Sequence, residues 1–139
     1  MSLEPDDSWT PLREAAEAVL DAAHAPYSRF RVGAALEAAD GRTYSGCNIE
    51  NASFPVTMCA ERVALGSAVA DGATRFTRLY LVSDAAEPVA PCGMCRQALA
   101  EFAPELRIVS RGLSGEETGW RLAELLPATF ELATGGETA

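Results

Sequence analysis

The chain has 139 residues, 48% of them apolar and 22% charged, which excludes disordered, collagenous and coiled-coil chains and fits one globular domain. Eleven arginines, no lysine and twenty acidic residues give a net charge of −9, which a phosphate backbone would repel, so nucleic acid is not expected as a partner. No apolar run approaches the ~20 residues that cross a bilayer, and the acidic start MSLEPDDSWT is no signal peptide, so no membrane partner is expected. The four cysteines are then read as reduced thiols of a cytoplasmic protein, free for a metal or for catalysis. Residues 1–139 read as a single domain, with 1–7 and 134–139 expected to be frayed.

Thr10 before Pro11 predicts a helix start, with Thr10 as the N-cap and proline at the first helical position. Leu12, Ala16, Val19 and Ala23 follow at helical spacing, and Pro26 ends the helix. Phe30, Val32, Ala34 and Leu36 then alternate with Arg31, Gly33, Ala35 and Glu37, the period of a strand. Asp40-Gly41 is a hairpin turn, and Arg42 to Cys47 is the returning strand. Asn48 to Met58 reads as a loop, and Cys59 to Val69 as a helix stopped at Asp71-Gly72. Leu79 to Val82 predicts a buried strand. Pro91 opens a helix with Cys95, Ala98, Leu99 and Phe102 on one face, and Pro104 closes it. Leu106 to Val109 predicts another strand, followed by an edge strand and a short helix through Leu122, Leu125 and Leu126 that Pro127 ends. Strands alternating with helices predict a three-layer α/β/α fold around a mixed, mostly parallel sheet of about five strands, with one antiparallel strand from the hairpin.

The chemistry concentrates in Cys59-Ala60-Glu61 and Pro91-Cys92-Gly93-Met94-Cys95, each at a predicted helix start. Cys92 and Cys95, three apart on a helix, project their sulfurs to one side. With Cys59 they make three ligands, the layout of a catalytic zinc that keeps its fourth position open. Three thiolates around a dication leave −1, which two helix N-termini and a nearby arginine would offset; Arg62 and Arg96 both follow a ligand, and Arg62 is preferred. Glu61 taken alone is a first-turn glutamate that complements the helix dipole; beside a zinc ligand it is a proton carrier for an activated water. Taken alone, Asn48 is a turn residue and Glu50 a solvated charge. Cys47 reads as a small apolar residue, His24 as a residue suited to a helix C-terminus, and Trp9 and Trp120 as packing residues.

Five motifs in order carry a resemblance over residues 10–131. They are PYSRFRVGAA (26–35), GCNIENAS (46–53), CAER (59–62), PCGMCRQ (91–97) and LLPATF (125–130). Together they resemble the small, homotetrameric zinc-dependent cytidine deaminases. The resemblance implies one Zn²⁺ per chain on Cys59, Cys92 and Cys95, with Glu61 as proton shuttle. It implies Asn48 and Glu50 at the ribose 3′-hydroxyl, Phe30 packed at the nucleoside, and the Ala60 backbone at the pyrimidine edge. Phe130 would reach the base from a neighbouring subunit. The implied reaction is hydrolytic deamination of cytidine and 2′-deoxycytidine in pyrimidine salvage. Pro55 and Met94 depart from the usual pattern and would reshape the pocket rim.

Three other readings compete. A CxxC opening a helix after a strand also fits a redox protein, but leaves Cys59-Ala60-Glu61 unexplained, and no tryptophan precedes Cys92. A structural zinc module would use Cys47 as a fourth ligand. A sister deaminase acting on an aminopyrimidine antibiotic such as blasticidin S is the third, against which Asn48-Ile49-Glu50-Asn51 favours a nucleoside.

Overall fold

A computed structural model describes residues 3–134. After a 3₁₀ turn at Asp7–Trp9 come α1 (Thr10–Leu20), β1 (Val32–Ala38), β2 (Thr43–Cys47), a 3₁₀ turn at Phe54–Val56, α2 (Ala60–Ala70), β3 (Phe76–Ser83), α3 (Gly93–Ala100), β4 (Arg107–Arg111), β5 (Glu117–Arg121) and α4 (Leu122–Leu125). The five strands form one sheet in the order β2-β1-β3-β4-β5.

Both faces of the sheet are covered, and the strand period divides its side chains between two cores. Ala34, Leu36, Leu79, Leu81 and Ile108 point to one face, where α2, α3 and α4 pack Ala60, Ala64, Leu65, Leu99 and Leu122. Ala35, Tyr80, Val82 and Val109 point to the other, under Trp9 and the Leu12 and Ala16 face of α1. This is the expected three-layer α/β/α arrangement with a mixed sheet.

The expected parallel majority is corrected. Only β3–β4 is a parallel pair; β1–β2, β1–β3 and β4–β5 are antiparallel. The helical crossovers do join strands of like direction, β2 to β3 through α2 and β3 to β4 through α3. The hairpin strand β1 is inserted between β2 and β3, so their like direction never becomes a pairing.

Local starts also shift. Thr10 lies inside α1, whose N-cap is Trp9, because the chain enters through the 3₁₀ turn that Asp6 caps by accepting from the Ser8 N–H. Pro91 precedes α3 and Cys92 is its N-cap. α1 ends at Leu20, so His24 lies beyond it and pairs by backbone with Asn48 and Glu50. In the segment expected to fray, the Leu3 N–H donates to the Gly119 carbonyl on edge strand β5. Of the expected fraying at the C-terminus, residues 135–139 lie outside the described residues. Trp9 is buried against Tyr80 and under Arg78, and Trp120 packs at the edge of the larger core.

Two glycines set how closely the layers approach. A Cβ on Gly46 of β2 would stand 2.4 Å from the Ala64 nitrogen and 2.5 Å from the Ala60 carbonyl oxygen, so α2 lies directly on the strand backbone. A Cβ on Gly33 of β1 would stand 2.3 Å from the Ala16 carbonyl oxygen of α1. Neither contact leaves room for a side chain.

Candidate active site

Two helix N-termini meet at one point. Cys59 is the N-cap of α2, Cys92 is the N-cap of α3, and Cys95 lies in the first turn of α3. Neither N-cap side chain bonds its helix's free N–H groups, so both sulfurs remain available. The three sulfurs lie within 4.8 Å of one another, and Cys59 Sγ and Cys92 Sγ are 3.7 Å apart. A tetrahedral zinc with sulfurs at 2.3 Å needs an edge of about 3.8 Å. The donor set fits too: three soft thiolates at the positive ends of two helix dipoles. Cys47 stands apart at the end of β2, paired in register with Gly33, and is not one of the three.

The Cys59 thiol is pulled down to about 5, chiefly by its hydrogen bond with Cys95 and then by Arg62. That bond, together with burial, pushes Cys95 up. Arg62 Nη2 donates to the Thr57 carbonyl at 3.2 Å and to Cys59 Sγ at 3.7 Å, while its buried Nε has no partner. Arg96 turns away, to the carbonyls of Pro91 and Leu125. Of the two arginines, Arg62 is the one whose guanidinium contacts a cysteine sulfur.

Glu61 follows on the first turn of α2 and is only 5% exposed. Burial, the largest cause, pushes its carboxyl up to about 7, and the negative charge at Cys59 adds to this. A carboxyl of this kind holds or releases a proton near neutral pH. Ala60, just before it, is fully buried.

A second cluster forms around the β2–α2 loop. Asn48 Oδ1 accepts from the Val32 N–H at 2.9 Å, and its Nδ2 donates to the Phe30 carbonyl at 2.8 Å. This clip takes the place of strand pairing there. It is one reason Phe30, expected on the strand, sits before β1 and 38% exposed; the other is Arg29, whose φ of 60° turns the chain just upstream. Glu50 accepts from the N–H groups of Tyr27 and Ser28 and from the Ser28 hydroxyl, and the Ser28 bond is the main cause holding its carboxyl below the usual range. An amide and a carboxylate have more donor and acceptor positions than these bonds use, so both retain capacity for a ligand hydroxyl. Beside them lies a cavity of about 430 Å³ lined by Tyr27, Ser28, Glu50, Asn51, Phe54 and Thr57.

Phe30, Asn48 and Glu50 are thus brought together, and so are Cys59, Ala60, Glu61, Arg62, Cys92 and Cys95. Phe130 is not part of either group within one chain: it is 68% exposed, its backbone held by Gln97 of α3. The structural work of Ser28, Thr57 and Gln97 was not legible in sequence. Ser28 bonds the Glu50 carboxylate, Thr57 accepts from the Asn51 N–H and from Arg62, and Gln97 bonds the Phe130 backbone, polar contacts that leave no periodic signal.

A covered α/β sheet that brings three cysteine sulfurs and a buried carboxyl to two helix N-termini fits a zinc hydrolase. Residues 10–110 match the sequence family described as the cytidine and deoxycytidylate deaminase zinc-binding region, and the chain belongs to that family. It is 48% identical to a cytidine deaminase of Sporosarcina psychrophila over 78% of this chain and 80% of that one. The crystal structure of a cytidine deaminase from Burkholderia pseudomallei superposes with a TM-score of 0.83 at 44% identity, over 87% of this chain and 98% of that one. A blasticidin-S deaminase of Bacillus cereus is 32% identical over 74% of this chain and 79% of its own. The cofactor of this family's site is zinc, and the cysteine trio is placed to hold it.

Proposed function

We propose that this protein hydrolyses cytidine and 2′-deoxycytidine to uridine and 2′-deoxyuridine, releasing ammonia, with Cys59, Cys92 and Cys95 as zinc ligands and Glu61 as the catalytic acid and base. The observation that carries this reading is the buried Glu61 carboxyl two residues from a ligand thiolate at a three-sulfur site. Bound zinc acts as a Lewis acid and makes water acidic enough to serve as a nucleophile near neutral pH. Glu61 accepts a proton from that water and hands it to N3 of the pyrimidine, which draws electrons from C4 as the C–O bond forms. The second water proton then passes through Glu61 to the amine, which leaves as ammonia when the C–N bond breaks. Arg62 offsets the charge of the thiolates so that the site stays electrophilic.

Asn48 and Glu50 use their remaining hydrogen-bonding capacity on the ribose 3′-hydroxyl, the Ala60 backbone meets the pyrimidine edge, and Phe30 packs at the nucleoside. A carboxylate at the sugar subsite suits a neutral nucleoside over a 5′-phosphate. Phe130 completes the site from a neighbouring subunit of a homotetramer, consistent with its exposed ring. Four free thiols, three of them needed as metal ligands, suit a reducing cytoplasm and nucleoside salvage there. No helix among the described residues is long and apolar enough to cross a membrane.

Ultraviolet monitoring of purified protein with cytidine tests the reading. Conversion to uridine is expected, with activity lost on prolonged chelation and regained with added zinc. Full activity in a metal-free preparation would overturn it.

A further inference from the structure

We propose that Gln97 is the positioning residue for Phe130, holding its ring for the nucleoside; this rests on the reading of Phe130 given above. Gln97 lies on α3, two residues beyond Cys95. Its side-chain Nε2 donates to the Phe130 carbonyl at 3.0 Å, and the Phe130 N–H donates to its Oε1 at 3.1 Å. A primary amide presents a donor and an acceptor side by side, as a neighbouring strand does. Gln97 therefore supplies one residue's worth of strand pairing to Phe130.

That pairing has little competition. Among the described residues, 126–134 form no helix or strand, and Phe130 leaves its ring in solvent. An untethered segment would have to be ordered each time substrate bound, at a cost in backbone and side-chain entropy. The near end of the same segment is tied by Arg96, whose Nη1 donates to the Leu125 carbonyl at 2.9 Å while its Nε donates to the Pro91 carbonyl at 2.7 Å. Adjacent residues of α3 thus fix both Leu125 and Phe130. The helix that brings Cys92 and Cys95 to one site also presents Phe130 to the next.

Gln97 is only half-buried, so its replacement should not unfold the chain. The test compares Gln97→Ala, Phe130→Ala and the double variant, with kcat, KM for cytidine, zinc content and melting temperature for each. Loss of an ordered aromatic contact predicts a roughly two- to tenfold rise in KM for Gln97→Ala, with zinc intact and the effect on KM rather than kcat. The double variant should be no worse than Phe130→Ala, because both changes remove one contact. Gln97→Glu keeps the acceptor for the Phe130 N–H but loses the donor, so its KM should fall between wild type and Gln97→Ala. An unchanged KM in Gln97→Ala, where Phe130→Ala raises it, would overturn the proposal. So would additive effects in the double variant, or loss of zinc from Gln97→Ala. If Phe130→Ala itself leaves KM unchanged, the Phe130 subsite reading fails and the proposal with it.

Discussion

Glu61 shows how one side chain's acidity is set by its surroundings. On an exposed helix it would be a dipole-matching glutamate; here it is buried beside Cys59, and burial pushes its carboxyl up to about 7. Glu61→Gln keeps the size and the burial but cannot carry a proton. It should retain zinc and fold while losing at least about 10³-fold in turnover, since a positioned acid–base group contributes about 10²–10⁴-fold and this one serves more than one transfer. Steady-state rates and metal content on the same preparation check this, and a variant with a tenth of wild-type turnover would mean another base does the work. At this scale the ligands were legible because their spacing is itself the chemistry: two thiols three apart on a helix face one way whatever the tertiary fold. The second occupation of Asn48 was not legible. Its clip onto Phe30 and Val32 depends on β1 and the loop after β2 lying side by side, and a turn-forming asparagine reads the same with or without it.

The elements hold the site by close contact, and their stability can be probed where they touch. Gly46 lets the α2 backbone rest on β2, and α2 carries Cys59 and Glu61. Gly46→Ala must push the helix off the strand. Overpacking of this kind costs roughly 1–3 kcal/mol, and the shift should also weaken zinc retention, as paired melting curves and zinc-competition titrations would measure. A stable variant with wild-type zinc affinity would show that α2 can move freely. Glu37 of β1 and Arg78 of β3 are register partners joined by two short bonds, Arg78 Nε to Oε1 at 2.7 Å and Nη2 to Oε2 at 2.8 Å. Arg78 is the main cause holding the Glu37 carboxyl below its ordinary 4.5. Because the folded value is the lower one, this stabilisation is complete above about pH 4.5 and is lost as the pH falls through the folded-state value. Glu37→Gln should therefore cost roughly 1.5–3 kcal/mol at pH 7, and the gap to wild type should close in acid; urea unfolding at pH 7 and pH 3 distinguishes this from a gap that persists. β1 was legible from its period and β3 and β4 from their apolar runs, but the antiparallel pairing of β3 with β1 was not. Crossovers determine which strands run alike, and only the tertiary order shows that β1 comes between β2 and β3.

At the scale of the whole molecule, the chain leaves apolar side chains in solvent, Phe54 at the cavity beside Glu50 and Phe130 with Leu132 along α3. Phe130 is 68% exposed, with Leu132 and Phe54 more so. Covering a phenylalanine ring is worth roughly 1.5–3 kcal/mol, so each exposed ring is a place that another molecule can cover. The exposure was not legible in the sequence, where Pro127 and the short α4 fit equally well a tail folded back onto its own core; only the resemblance pointed to a neighbouring subunit. The two arrangements differ in a way that mixing reveals. If Phe130 serves its own chain, a Phe130→Ala subunit is defective whatever surrounds it, and a Glu61→Gln subunit is inactive in any company. If Phe130 serves a neighbour, a site with an intact Glu61 on one chain and an intact Phe130 on the next is whole, although each chain carries one defect. Random exchange of equal amounts should then give about a quarter of all sites both good halves, one half chance for each. Those sites should display the low KM of the wild type above the high-KM background of the Phe130→Ala parent, with zinc unchanged. Subunit exchange, followed independently by mass, fixes when the mixture has equilibrated. A simple average of the two parents after full exchange would place Phe130 in its own chain's site, as would a fully active monomer in the ultracentrifuge at assay concentration.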